Sequence, residues 1–234
     1  MRKYPVLYID KFGKEETEIS SDGSSMGLTL RGIQFKGIDF EGLEGEVDEN
    51  KFQYQFYEKG LAELTNFRIE VLFPIKINYK NKIISEKIKF TIEVGEGVEI
   101  EGLNSVVNTV ELDTFFGNFK TNKKVEWFED AIIEIQNLLP KNTEIITCLS
   151  CKYSNYHPVG NGMFGSLYCF KKIKNKVKTF SNKHDLMNVW TKKAINKNEI
   201  FNVQELFDCA DHKFISKEDW TYKDWDYKTN CVKH

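Results

Sequence analysis

The sequence predicts an α+β protein, with an N-terminal, mostly antiparallel and sandwich-like β-sheet carrying one amphipathic helix, then a small zinc-stapled C-terminal region. Three observations predict it. Apolar and polar residues alternate over long runs in the first half, an apolar stripe at helical spacing follows, and all five cysteines of the 234-residue chain lie from residue 148 onward.

The clearest strand is FRIEVLFPIKINY at 67–79, where Phe67, Ile69, Val71, Phe73, Ile75, Ile77 and Tyr79 fall on alternate positions. A period of two over that length suits a half-buried strand and not a helix. KIKFTIEV at 87–94 repeats the pattern with Ile88, Phe90, Ile92 and Val94, and the intervening YKNKIISE predicts a hairpin with a longish turn. Pro74 lacks an amide donor, which predicts an edge position or a bulge. Shorter strands are expected at 4–9, 27–35, 52–58 and 105–112. A helix is expected over 125–139, because Val125, Phe128, Ile132, Ile135 and Leu139 form one apolar face and Pro140 stops the run. Glu126, Glu129 and Asp130 suit the positive end of its dipole. The expected division is therefore a β-rich domain over 1–140 and a four-cysteine region over 141–234, the latter with a short helix at 184–195 and an aromatic tail. The lysine-rich stretch Lys171–Lys178 reads as a charged hairpin or a pair of exposed strands.

Composition bounds the function. With 41% hydrophobic and 29% charged residues the chain belongs with soluble globular proteins. It has no long apolar leader and no run of eighteen apolar residues, so a cytoplasmic protein without a membrane partner is expected. The net charge of −2 hides an asymmetry: residues 1–147 carry 18 Lys+Arg against 26 Asp+Glu, and residues 148–234 carry 15 against 9.

The densest chemistry lies in CLSCKYSNYHPVGNGMFGSLYCF at 148–170. Cys148 and Cys151 form a CxxC pair, which can place two sulfurs on one ion from a single tight turn. Cys169 and Cys209 complete a four-thiolate set, with His157 and His212 as reserve ligands. A closed set of four thiolates is a structural zinc site, since a catalytic zinc keeps a position open. The competing readings are unligated buried thiols and a redox pair, but a redox CxxC needs a strand-to-helix context that the following Gly, Asn and Pro loop does not offer. Gly160, Gly162 and Gly165 reproduce GxGxxG spacing, yet between metal ligands they read as turn residues and not as a dinucleotide loop.

This stretch, with VQELFDC at 203–209, resembles the signature CxxCxFSxYxPxGxGxFGxLxCF followed by VQExxxC of a bacterial family of unknown function. The matching positions are Cys148, Cys151, Tyr153, Ser154, Tyr156, Pro158, Gly160, Gly162, Phe164, Gly165, Leu167, Cys169, Phe170, Val203, Gln204, Glu205 and Cys209, with Tyr153 in place of the usual Phe. The resemblance implies Cys209 as fourth ligand and brings no activity.

The expected function is non-catalytic protein binding, with an immunity protein that neutralises a bacterial toxin as the favoured class. The acidic stretches at 39–49 and 93–101 would suit a basic toxin domain. One alternative is a nucleic-acid-binding zinc module using Lys171–Lys178, against which stand the overall acidity and the shortage of arginine. A second is an enzyme built on His157, His184 or His212 with Asp185, Asp208, Asp211 or Glu205, although no pair among them has a spacing that requires chemistry.

Overall fold

The computed structural model describes residues 1–40, 42–57, 62–95, 97, 98, 102, 103, 106–122, 125, 127–160, 164–226 and 229. The strands of the first half are β1 (Arg2–Asp10), β2 (Gly13–Ser21), β3 (Met26–Leu30), β4 (Ile33–Gly37), β5 (Tyr54–Phe56), β6 (Ala62–Leu64), β7 (Phe67–Tyr79), β8 (Lys82–Val94), β9 (Gly97–Val98), β10 (Gly102–Leu103), β11 (Val106–Thr114) and β12 (Gly117–Lys120). Helix α1 (Phe128–Leu138) leads to β13 (Thr143–Ile146), β14 (Ser154–Tyr156) and β15 (Leu167–Cys169). A 3-10 turn at Lys171–Ile173 runs into α2 (Lys174–Val177), then come α3 (Lys183–Val189), α4 (Lys192–Asn196) and β16 (Phe201–Val203).

Among the described residues the class is α+β and the pairing antiparallel. The main sheet runs β12-β11-β8-β7-β1-β2-β3-β4, with β13 added on β7 as its ninth strand, and β14-β15-β16 form a small sheet of their own. The strands thus belong to one continuous large sheet with small satellites, where the sequence suggested a sandwich.

The β7–β8 pair is its spine. Phe67, Ile69, Val71, Phe73, Ile75 and Ile77 are all buried, as their alternation requires. The turn between the two strands is shorter than expected, because Tyr79 pairs directly with Lys82. Lys80 and Asn81 both take positive φ, 48° and 64°, the backbone of a type I′ turn that matches strand twist. The expected strand at 27–35 divides likewise into β3 and β4 at Arg31 and Gly32, with φ of 47° and 81°.

Pro74 is central in the sheet yet has no ladder partner on one side. One edge of β7 pairs with β1 through Val71 and with β13 from Lys76 onward, and no residue is registered opposite Leu72–Ile75 there. Tyr79 and Lys82 flank a two-residue turn and so form a hydrogen-bonded pair, which makes every second residue back from Tyr79 bond β8. Pro74 falls between those positions, so its missing donor would have pointed into the gap.

Helix α1 begins three residues later than its apolar stripe, since Trp127 is extended and caps nothing with its side chain. Phe128, Ala131, Ile132 and Ile135 are buried on the sheet, with Phe128 stacked on Phe90 at 4.4 Å between ring centroids. Gln136 ties the helix to β13: its Nε2 donates to the Thr143 carbonyl at 2.7 Å and its Oε1 accepts from the Ile145 amide at 2.8 Å. The main core crosses residue 140 without a break, taking in Leu149, Tyr156, Phe164, Leu167, Val203, Leu206 and Trp225 beside the strand residues. A second, small cluster gathers Phe170, Val177, Phe180, Leu186, Ala194 and Ile200.

Two local expectations change in this second half. The lysine-rich stretch is the 3-10 turn and α2, with Val177 turned inward, and not a hairpin. The helix expected over 184–195 is two short ones, because the Thr191 side chain accepts from the Ala194 amide and starts α4 afresh.

Candidate metal centre

Local backbone geometry brings the four expected cysteines to one place. The CxxC turn closes when the Cys151 amide donates to the Cys148 carbonyl at 3.2 Å, and the Ser154 amide continues it onto the Cys151 carbonyl at 3.3 Å. Ser154 then opens β14 and pairs with Cys169 on β15, which carries the third cysteine to within three residues of the turn. The fourth arrives by two ties on either side of it. The Leu149 amide donates to the Glu205 carbonyl at 3.1 Å, and Cys151 bridges to Phe214. Cys209 lies between those anchors.

All four are free thiols, with Cys148 and Cys151 buried and Cys169 and Cys209 partly so. Burial pushes the Cys148 thiol well above its usual range, and the neighbouring sulfurs of Cys151, Cys209 and Cys169 push it further. Burial likewise raises Cys169 to about 11, with Cys151 and Cys209 among the contributors. The sulfurs are thus within electrostatic reach of one another. Among the described residues no three Cys, His, Asp or Glu side chains stand in a geometry ready to hold a metal ion. Four thiolates would fit zinc in kind and number.

The surroundings are polar and largely buried. Lys223 is only 4% exposed, and its Nζ donates to the carbonyls of Leu149 and Cys151 at 2.7 Å each and to Ser154 Oγ at 2.8 Å. The Ser154 hydroxyl also faces the Cys148 and Cys151 carbonyls. Ser150 is fully buried, and its Oγ accepts from the Thr147 amide at 3.1 Å and lies 2.9 Å from His212 Nε2. Burial, reinforced by Lys223, lowers His212 to about 4.

Two more buried carboxyls belong to the same region. Burial pushes Glu205 up to about 8, opposed by the Gly165 amide and assisted by Glu129. Burial also raises Glu129, whose Oε1 accepts from the Trp225 amide at 3.0 Å. Tyr156 packs against them, its hydroxyl raised by burial and then by Glu205.

The remaining residues singled out in the sequence fall into place around this. Gly165 adopts φ of 83°, and a Cβ there would stand 2.3 Å from the Ile38 carbonyl oxygen. Phe164 inserts its ring among Phe40, Phe73 and Phe128, 4.8 to 5.8 Å between centroids. Gln204 docks on the β2–β3 turn, its amide donating to the Gly23 carbonyl at 2.6 Å and its Oε1 accepting from Ser21 Oγ at 2.6 Å. His157 stands away from the sulfur cluster's polar shell, edge-on to Trp190 at 4.6 Å. His184 is exposed on α3 beside Asn188. Lys171 pairs with Asp211. Gly162 and Cys231 lie outside the described residues.

Lys223 was not singled out by sequence reasoning, and Glu129 was singled out only as an acid suited to the helix dipole. A lone lysine in an aromatic tail and a glutamate in the first turn of a helix both read as surface charges, and only the fold buries them.

A model described as a family of unknown function, DUF6304, matches residues 2–154, well over half of the chain. The chain belongs to that family. The expectation of an uncharacterised family therefore holds, while the match overlaps the cysteine-rich motif only over residues 148–154. It takes in the main sheet, α1, β13 and the CxxC turn, and stops before Cys169 and Cys209. Comparison with curated proteins gave no match, and comparison with solved structures gave none. Among the described residues no helix is long and apolar enough to cross a membrane.

Proposed function

We propose that this DUF6304 chain is a non-catalytic binding protein, that Cys148, Cys151, Cys169 and Cys209 hold a structural zinc that clamps its C-terminal region, and that its partner is a basic protein, a toxin domain being the class in view. The binding part of this reading is carried by one observation: an acidic face with exposed apolar side chains around the β5–β6 hairpin. Ile38, Val47 and Phe56 are each about half exposed there. Asp39 and Glu44 crowd Glu63, whose carboxyl is raised first by burial and then by those two charges. Glu46, Asp48 and Glu49 surround Tyr54, whose hydroxyl donates to the Glu46 carbonyl at 3.2 Å. Apolar anchors inside an acidic rim suit a basic protein surface by complementary potential.

The burial of the polar groups around the CxxC turn supports a structural reading of the cysteines, since Ser150 and Glu205 are fully excluded from solvent and His212 is only partly exposed. The Lys171–Lys178 segment is a short turn and helix, one of whose charges is taken up by Asp211.

Two measurements test the reading. Metal analysis of the purified chain under reducing conditions should give about one zinc per chain, lost in Cys148→Ser and Cys209→Ser and kept in Cys231→Ser; a metal-free wild type rejects the zinc site. For the partner, a toxin domain encoded beside this gene should bind the chain with an affinity that falls steeply with salt and with Glu46→Lys/Glu49→Lys. No binding at low ionic strength rejects that partner class.

A further inference from the structure

We propose that Lys223 is the counter-charge and the positioning residue of the four-cysteine site. The inference rests on the zinc reading above and adds the group that neutralises the site and holds its CxxC turn in shape.

Among the described residues Lys223 is a buried lysine with no carboxylate in hydrogen-bond contact. All three Lys223 donors are used, and all three acceptors are neutral: the Leu149 and Cys151 carbonyls and the Ser154 hydroxyl. Among the described residues Lys223 forms no ion pair with a carboxylate. Glu129 is the carboxyl in its neighbourhood, and the Glu129 Oε1 is engaged by the Trp225 amide. An ammonium taken out of water costs several kcal/mol unless negative charge is brought near it. The groups that act on Lys223 are the sulfur of Cys151, then the Glu129 carboxyl, then the sulfurs of Cys148 and Cys169, and Cys148 feels Lys223 in turn.

Four thiolates around a divalent zinc carry a net charge of −2, and a lysine held against the same turn halves it. A buried lysine that bonds only neutral acceptors and a cluster of four cysteines, two of them buried, answer each other. The contact geometry adds positioning. Lys223 grips the backbone of the turn on both sides of Ser150, at residues 149 and 151, so the ammonium fixes the loop from which Cys148 and Cys151 project.

The test uses the full chain loaded with Zn²⁺ or Co²⁺ under reducing conditions, with Lys223→Met, Lys223→Arg and Ser154→Ala. Lys223→Met keeps the buried stem and removes charge and donors. It should bind metal roughly tenfold more weakly in competition with a chelating dye. Its sulfur-to-cobalt charge-transfer band should move to longer wavelength, because sulfur lone pairs lose a stabilising cation. Lys223→Arg should keep the wild-type band. A Lys223→Met chain with wild-type band and affinity overturns the proposal, as does Lys223→Arg giving the same shift as Lys223→Met. If Lys223→Met does not fold, Ser154→Ala decides: it removes one Lys223 acceptor and should release metal to the dye several-fold faster, and an unchanged rate overturns the proposal. A wild type that takes up neither metal rejects the zinc reading itself, whereas a loaded wild type beside unaffected variants rejects only the role of Lys223.

Discussion

The Gly165 amide donates to Glu205 Oε2 at 2.7 Å, joining two parts of the cysteine-rich region forty residues apart. The bond depends on a backbone that only glycine adopts without strain, because φ is 83° and a Cβ would collide with the Ile38 carbonyl. Gly165→Ala is expected to lower stability by about 3 kcal/mol or more. Gly32→Asn, at a left-handed turn position with nothing within 4 Å of a Cβ, should change it by less than about 1 kcal/mol. Urea unfolding of both variants checks the contrast.

The same glutamate makes stability depend on pH. Its folded value of about 8 lies above the ordinary 4.5, so the folded chain holds a proton that the unfolded chain has released. That contribution is complete below about pH 4.5 and is lost as pH rises toward 8. Glu205→Gln cannot ionise and keeps an oxygen for the Gly165 amide. Its stability advantage over wild type should be wider at pH 7 than at pH 5 by about 2 kcal/mol, and a gap of constant size would show that Glu205 is ionised in the fold.

Arg31 and Asp10 tie two hairpin turns together. Both guanidinium nitrogens reach the carboxylate at 2.6 Å, and Asp10 is almost wholly buried. The guanidinium also covers the Phe52 ring at 4.8 Å. Arg31→Ala leaves that carboxylate unpaired and should cost about 3 kcal/mol. Arg31→Lys should recover only part of it, since a point charge cannot reproduce the fork.

Zinc removal should be visible as thiol exposure. If the four cysteines hold a metal, a strong chelator should raise the number of rapidly titrating thiols by four, those of Cys148, Cys151, Cys169 and Cys209. Near-UV circular dichroism should change in parallel, because Tyr156, Phe164 and Trp225 lie in the core shared with the cysteine loops.

What the sequence reveals follows from which forces leave a local pattern. β7, β8 and α1 are legible because each buries one face and so writes its period into the chain. β2 is not, since only Ile19 and Ser21 of GKEETEISS are buried and the other seven residues are exposed or half-buried. The Lys80–Asn81 turn is missed because neither residue is glycine, although both adopt left-handed backbone. At the site, the sulfurs are legible by residue type and spacing. The charge that faces them is not, because Lys223 comes from a segment 72 residues beyond Cys151 and is buried only by tertiary packing.

The unpaired stretch beside Pro74 bears on how this protein avoids aggregation. A gap in the middle of a long strand is an invitation to a foreign strand, with free backbone groups aimed outward. A proline whose missing amide faces that gap removes one of the donors an intruder would need. Pro74 therefore makes the unpaired stretch between β1 and β13 a poorer template for an added strand than an amide-bearing residue would.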